Sequence, residues 1–197
     1  MSARITTISR KTAETDISLE LNLDGTGIGT IETGIGFLDH MLTALCRHAL
    51  FDMKLRGVGD LHIDFHHTTE DVGIVIGQAL LAALGEKRGI TRFGHAVVPM
   101  DEALVEAAID ISGRAHTSWG VSFDRPKIGE MDTELFEEFF RALAGNALIT
   151  LHVRQLAGTN AHHVAEACYK SVARALRQAV TLDPRLGNAV PSTKGSL

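Results

Sequence analysis

Cysteine is scarce in this chain, and long apolar runs are missing. Its two cysteines, Cys46 and Cys168, are too few for a disulfide framework, and each lies in an apolar helical context that favours a buried free thiol. This usage indicates a reducing cytoplasm. Residues 1–4 carry no apolar signal core, and no run approaches the length of a membrane span. We therefore expect a cytoplasmic protein that is neither exported nor embedded in a membrane.

A basic excess and stacking aromatics are also missing. The formal net charge is -5, with one Trp and one Tyr, whereas nucleic-acid-binding domains usually present a basic face and aromatic platforms. Hydrophobic residues (45%) and charged residues (22%) occur in proportions typical of a globular protein with a core. The most loop-like internal stretch is 124–131, and residues 191–197 look irregular. We expect no nucleic-acid partner and no membrane partner.

One short pattern occurs twice, 96 residues apart, as HHTTE at 66–70 and HHVAE at 162–166. On a helix, positions i and i+4 share a face, whereas neighbouring positions lie about 100° apart around the axis. Each motif therefore offers a chelating His/Glu pair and one imidazole that points elsewhere. Clusters of His and Glu are common in transition-metal sites. The spacing predicts two metals, each bound by the His/Glu pair of one motif and a lone His of the other.

The first half is predicted as ββαββα. Residues 16–23 alternate and are followed by the turn signal Asp24-Gly25, which predicts a hairpin whose second strand ends near Thr33. Helical spacing over 37–50 places His40 beside an apolar stripe. Strands are expected at 53–55 and 61–65. The HHTTE motif then opens a helix that ends at Gly85.

The second half repeats this order. Strands are expected around 93–98 or 102–111 and at 115–123, followed by a helix over 133–144, a strand over 149–153 and a helix over 160–180 capped by Asn160 or Thr159. The sequence thus predicts an α+β protein made by internal duplication of a ββαββα half, with sheets packed against helices. The halves are residues 1–91, with the HHTTED metal motif, and residues 92–197, with the HHVAE metal motif and a C-terminal phosphate-binding tail.

Several long motifs, in order along nearly the whole chain, closely resemble the imidazoleglycerol-phosphate dehydratase family. They are TGIGFLDHML at 33–42, HHTTED at 66–71, PMDEA at 99–103, SGR at 112–114, NAHH at 160–163 and PSTKG at 191–195. The resemblance implies a carbon–oxygen hydro-lyase that dehydrates D-erythro-imidazole glycerol phosphate to imidazole acetol phosphate in L-histidine biosynthesis. It also implies two Mn²⁺ per active site and a homo-24-mer whose active sites lie between subunits.

The resemblance assigns seven metal ligands by position. They are His40, His66, His67, Glu70, His162, His163 and Glu166. Carboxylates mixed with imidazoles suit Mn, Fe or Zn alike, so the choice of manganese rests on the resemblance alone. Some members of the family have a histidine where this chain has Glu138. Glu138 is either a ligand or a solvent-facing residue of its helix.

The resemblance also supplies catalytic and substrate-binding residues. Glu14 is expected to shuttle protons, and Glu166 adds acid/base character to its ligand role. The phosphate-binding residues are Arg92, Arg114, Ser192 and Lys194. The other pocket residues are His48, Asp101 and Lys170, although His48 could equally be packed in the protein and an i,i+4 ion pair with Glu166 would account for Lys170. The histidines assigned no role in the site are His62, His95, His116 and His152.

A metal-binding oligomer without enzymatic activity, which stores or buffers metal, is the alternative function. Duplicated His/Glu helices suit either function. The anion-binding set discriminates between them, because storage needs no Arg92, Arg114 or Lys194 around the metals.

Overall fold

Two four-stranded sheets of the same strand order organise the fold in a computed structural model, which describes residues 3–197. The first sheet contains β1 (Ile5–Lys11), β2 (Thr15–Asn22), β3 (Gly29–Glu32) and β4 (Asp52–Gly59). The second contains β5 (Phe93–Met100), β6 (Ala103–Asp110), β7 (His116–Gly120) and β10 (Thr150–Ala157), and β8 (Lys127–Ile128) and β9 (Met131–Asp132) form a separate small hairpin. The spatial orders are β1-β2-β4-β3 and β5-β6-β10-β7, and the last pair of each sheet is parallel.

Four helices lie between the sheets. They are α1 (Gly36–Ala49), α2 (His66–Leu84), α3 (Leu135–Ala147) and α4 (Ala161–Val180). Helices α1 and α2 contact the first sheet, α3 and α4 contact the second, and the helices pair across the halves, α1 with α4 and α2 with α3. This confirms the predicted α+β fold with two similar halves and the four predicted helices.

The duplication extends to backbone detail. Helix α1 ends at Leu50 and α3 ends at Leu148, and both leucines adopt the left-handed conformation, with φ of 58° and 54°. Each donates its N–H to the carbonyl four residues earlier, Cys46 or Ala144, and a strand follows two residues later. Leu50 and Leu148 therefore mark equivalent positions in the two halves, from which other residues of the halves can be aligned.

The order of elements within each half differs from the prediction, because it is βββαβα rather than ββαββα. Strand β1 was not predicted, since its residues alternate only weakly between polar and apolar. The strand predicted at 61–65 is wrong. This short connection forms turns, with the Ile63 N–H donating to the Asp60 carbonyl, and Ile63 is 63% exposed.

The predicted hairpin between β2 and β3 is also wrong, because β4 lies between these strands. Asp52, at the start of β4, explains this arrangement. Its Oδ1 accepts hydrogen bonds from the N–H groups of Thr26, Gly27 and Ile28, at 2.8, 3.0 and 2.9 Å. The loop after β2 is thereby held at β4, and β3 continues parallel to it.

In the second half, both of the alternative strands exist. Strands β5 and β6 pair from Phe93–Asp110 to Met100–Ala103, joined by the two-residue turn Asp101-Glu102. Asp101 has a φ of 49°, as tight hairpin turns require. The turn brings two carboxylates to the end of the sheet near the start of α4.

The two cysteines are buried free thiols, as predicted. Burial raises the pKa of the Cys46 thiol to about 12, and burial also raises the pKa of Cys168. Within residues 3–197, no helix is both long enough and apolar enough to cross a membrane.

We expect Gly77→Ala to destabilise the protein, because α2 and α3 meet at this glycine. A Cβ there would lie 2.5 Å from the Leu143 carbonyl oxygen, which cannot move without shifting α3. Overpacking of this kind costs about 1–3 kcal/mol. Gly145→Ala on α3 is the control, since its Cβ would meet nothing within 4 Å and alanine favours a helix. Thermal unfolding measures both, and a midpoint for Gly77→Ala equal to that of Gly145→Ala would contradict the contact.

Candidate metal centre

Helix α4 begins with a side-chain cap that positions both histidines of the second motif. The Asn160 Oδ1 accepts hydrogen bonds from the N–H groups of His162 at 3.0 Å and His163 at 3.3 Å. Asn160, rather than Thr159, is therefore the predicted cap. The two imidazoles project from the first turn of the helix.

Three side chains converge beside this first turn. The Glu166 Oε2 lies 3.2 Å from His162 Nε2 and 3.4 Å from Nε2 of His40, which comes from α1. The ligand atoms of these residues all lie within 4.8 Å of one another. Phe37 packs edge-on against His162, with ring centroids 5.2 Å apart. Two imidazoles and one carboxylate at this separation fit a divalent transition metal.

Glu166 keeps its charge despite being buried. Burial alone would raise its pKa, but the hydrogen bond and charge of Lys170, together with His40 and His162, lower the pKa overall. The Lys170 Nζ lies 2.7 Å from Glu166 Oε1, which is the predicted i,i+4 ion pair. His48, two turns beyond His40 on α1, has a pKa lowered first by burial and then by the charge of Lys170. Lys170 therefore links the metal-competent group to His48 through its charge.

His163 points away from that group and contacts the β5–β6 turn. Its Nδ1 lies 2.8 Å from Glu102 Oε2, and its Nε2 lies 3.7 Å from Asp101 Oδ2. The other oxygen of Glu102 accepts hydrogen bonds from the N–H groups of Thr159 and Asn160, at 3.3 and 2.8 Å. The hydrogen bond from His163, with these backbone bonds, lowers the Glu102 pKa to about 2.

The first motif shows a similar arrangement. The His67 Nδ1 lies 3.0 Å from Asp60 Oδ2 and 3.8 Å from Glu14 Oε2. Glu14 stands in the β1–β2 turn, where its own N–H donates to the Thr12 hydroxyl. The turns that join the first two strands of each half therefore carry carboxylates to the second histidine of the motif.

Both motifs separate their imidazoles in the same way. The rings of His66 and His67 are 6.2 Å apart at 86°, and those of His162 and His163 are 6.2 Å apart at 84°. This is the divergence that helical spacing predicts for adjacent positions. In the second motif, His162 contacts its own Glu166 and His163 points away from it.

The first motif has no closed ligand group within the chain. Glu138 precedes the left-handed leucine of its helix by ten residues, as His40 does, so the two are structural counterparts. Nevertheless, across residues 3–197 the group with His40 is the only one in which three such ligand atoms converge; His66, Glu70 and Glu138 form none. The described part of one chain therefore brings together three candidate ligands at the second motif, but not at the equivalent place beside the first motif.

Sequence reasoning missed Glu102 and Asp60. Glu102 belongs to the motif PMDEA, from which only Asp101 was taken, and its sequence position gives no sign that it reaches the start of α4. Asp60 follows β4 directly and resembles an ordinary turn residue. Glu14 stands in the turn of the first half that corresponds to the Asp101-Glu102 turn, so comparing these turns is the signal that could have found Glu102, whereas no such signal marks Asp60.

Arg92 is engaged by the protein itself. Its Nε donates to Asp110 Oδ1 at 2.7 Å, its Nη2 to Asp110 Oδ2 at 3.2 Å and its Nη1 to the Pro191 carbonyl at 2.8 Å. Three of its five N–H donors are thereby used. In this chain Arg92 anchors the start of the C-terminal tail.

The tail brings the other predicted phosphate-binding residues to the same region. A Cβ on Gly113 would lie 2.7 Å from the carbonyl carbon of Leu197, so the chain end lies directly on the loop that carries Arg114. The Lys194 N–H donates to the Ser192 hydroxyl at 3.2 Å. The tail thus runs from Arg92 to the Arg114 loop.

The region that contains the predicted phosphate-binding residue Arg92 lies far from the metal-competent group of the same chain. The Arg92 N–H donates to the Ala179 carbonyl near the end of α4, thirteen residues after Glu166. At 1.5 Å per residue this is roughly 20 Å along the helix. One small phosphorylated molecule cannot reach both ends.

Sequence comparisons identify close relatives. A family model described as imidazoleglycerol-phosphate dehydratase matches residues 33–176. The chain is 71% identical over 194 residues to the imidazoleglycerol-phosphate dehydratase of Granulibacter bethesdensis, covering 98% of this chain and 99% of the relative. It is 65% identical over 195 residues to that of Gluconacetobacter diazotrophicus, covering 99% and 98%.

Solved structures agree with these relatives. The crystal structure of imidazoleglycerol-phosphate dehydratase from Staphylococcus aureus has a TM-score of 0.83 and 40% identity, covering 91% of this chain and 99% of that chain. The crystal structure of the Pyrococcus furiosus enzyme in complex with (S)-C348 has a TM-score of 0.83 and 39% identity, covering 96% and 100%.

The fold and its His/Glu group define a duplicated α+β protein with a candidate transition-metal centre at the start of its last helix. The comparisons narrow this class. The chain belongs to the imidazoleglycerol-phosphate dehydratase family and is therefore a hydro-lyase. Membership of an enzyme family favours catalysis over the alternative function of metal storage.

Proposed function

We propose that this chain catalyses the metal-dependent dehydration of D-erythro-imidazole glycerol phosphate to imidazole acetol phosphate in L-histidine biosynthesis, with two Mn²⁺ per active site. The convergence of His40, His162 and Glu166 is the observation that carries the proposal. When bound, a divalent metal would act as a Lewis acid and would hold the substrate imidazole and a hydroxyl in position.

The residues of the chain supply the remaining chemistry. Dehydration expels the hydroxyl from the carbon attached to the imidazole ring and removes a proton from the neighbouring carbon that bears the second hydroxyl. The resulting enol becomes the ketone when a proton is returned to the first of these carbons. Glu14 is proposed to carry the proton between the two carbons, because its carboxylate stands in an exposed turn beside His67 and no Lys or Arg among residues 3–197 pairs with it. Glu166 remains ionised and fixed by Lys170, as a metal ligand must be.

We further propose that active sites lie between subunits of a homo-24-mer. The separation of roughly 20 Å between Glu166 and the phosphate-binding region supports shared sites. The first motif supports shared sites as well. Its candidate ligands do not converge among the described residues of one chain, and a neighbouring chain can supply the ligands that are missing. Arg114, Ser192 and Lys194 of one subunit would bind the phosphate of a substrate held by the metals of another.

The direct test is turnover with defined metal. The Mn²⁺-loaded protein should convert imidazole glycerol phosphate to an enolisable ketone, whose formation is monitored by ultraviolet absorbance. Removal of the metal by a chelator should abolish this conversion. His162→Ala should lower both bound Mn²⁺ and turnover. His152→Ala is the control, because this imidazole lies on β10 beside His116, outside the site. Absence of turnover with Mn²⁺ bound would refute the proposed activity, and full turnover after chelation would refute its metal dependence.

A further inference from the structure

The second histidine of each motif, His67 or His163, contacts a carboxylate from elsewhere in the chain. Glu102 lies 2.8 Å from Nδ1 of His163, and Asp60 lies 3.0 Å from Nδ1 of His67. An ionised carboxylate accepts hydrogen bonds and cannot donate them. In both pairs Nδ1 must therefore carry a proton, and in the neutral imidazole this leaves the lone pair on Nε2.

We propose that Glu102 and Asp60 are positioning residues that fix His163 and His67 as Nε2 metal donors, with Glu102 the more stringent of the two. This inference rests on the proposed function, in which both histidines bind metal. A neutral imidazole can bind a metal only through the nitrogen that carries no proton, and the hydrogen bond at the other nitrogen decides which one that is.

Glu102 is stringent because every group that contacts its carboxylate is a donor. Oε2 accepts from His163, and Oε1 accepts from the N–H groups of Thr159 and Asn160. An amide has one oxygen and one NH₂ group, so it cannot serve both sides. If the glutamine of Glu102→Gln turned its oxygen toward the backbone, its NH₂ would face Nδ1 and favour a proton on Nε2.

Asp60 is less constrained. Its Oδ2 accepts from His67, whereas its Oδ1 is buried with no hydrogen-bond partner among residues 3–197. In Asp60→Asn, the asparagine oxygen can therefore accept the hydrogen bond from His67. Its NH₂ group then takes the place of Oδ1, which accepts no hydrogen bond in the described part of the chain. The same change of carboxylate to amide should thus have unequal effects in the two halves.

The test is Mn²⁺ affinity, measured by titration of the intact protein with free Mn²⁺ followed by electron paramagnetic resonance. We expect Glu102→Gln to weaken binding by about 10–100-fold, as loss of such outer hydrogen bonds does in other metal sites. Asp60→Asn should stay within a few-fold of the unmodified protein. Glu106→Gln is the control, because Glu106 lies on the same strand β6 and pairs with Arg154 and His95 instead.

Glu102→Ala separates this role from simple support of the start of α4. With the side chain removed, a water molecule can accept a hydrogen bond from the Nδ1–H of His163, so we expect Glu102→Ala to bind Mn²⁺ more tightly than Glu102→Gln. A purely structural role gives the opposite order, because glutamine retains one acceptor for the backbone. That opposite order, or unchanged affinity in Glu102→Gln, would overturn the inference alone. Failure of the unmodified protein to bind Mn²⁺ would overturn it together with the proposed metal dependence.

Discussion

Glu14→Gln should reduce kcat by about 10²- to 10⁴-fold while leaving Mn²⁺ binding intact, because general acid–base groups contribute on this scale. The Glu14 carboxylate lies 3.8 Å from His67 Nδ1, too long for a hydrogen bond, and its side chain is 54% exposed. It stands next to a proposed metal ligand without being held by it. Steady-state turnover and bound Mn²⁺, measured on the same preparation, test both parts.

Asp16→Asn is the matched control for Glu14. Asp16 lies two residues later, its side chain is also 54% exposed, and it pairs with Lys11 away from the histidines. We expect its turnover to equal that of the unmodified enzyme. A Glu14→Gln enzyme with near-normal kcat would remove Glu14 from the proton-transfer role, and equal loss of Mn²⁺ and activity would make it a metal-site residue instead.

Co-assembly of two inactive variants should restore activity. A chain carrying His162→Ala lacks a proposed metal ligand, and a chain carrying Arg114→Ala with Lys194→Ala lacks two of the proposed phosphate-binding residues, which belong to the region that contains Arg92. If one subunit supplies the metal group and another the phosphate group, random 1:1 co-assembly leaves about one site in four with both groups intact. Turnover of the co-expressed mixture, compared with each variant alone, measures this recovery.

The control mixture combines His162→Ala with Glu166→Gln chains. These residues belong to one group within one chain, so no arrangement of the two variants rebuilds it. Its turnover should stay at the level of the separate variants. Recovery in neither mixture would show that metal and phosphate groups do not come from different subunits.

The helices could be predicted because their signals are local. Apolar periodicity places α1 and α4 within one residue of their observed bounds, and Asn160 marks the start of α4. The order of the strands could not be predicted in the same way, because it depends on contacts between distant residues. Asp52 places β3 beside β4 through three backbone N–H groups more than twenty residues earlier, and nothing near β3 shows this.

The same distinction applies to the candidate site. The i,i+4 spacing places His162, Glu166 and Lys170 in contact, as expected for one helix. By contrast, Glu102 hydrogen-bonds His163, which is 61 residues away in the sequence. Arg92 hydrogen-bonds the carbonyl of Pro191, which is 99 residues away. Only the folded chain reveals that these charged residues already have protein partners.

The exchange of helix partners between the halves has an evolutionary consequence. Because α1 packs on α4 and α2 on α3, the helices of each half cover their own sheet on one side and pack against helices of the other half on the opposite side. A chain consisting of a single half would need a second copy to cover the same faces, and the two copies would be related by a twofold axis. The present chain corresponds to such a dimer joined into one polypeptide. Fusion frees equivalent positions to diverge, and His40 and Glu138 are one such pair.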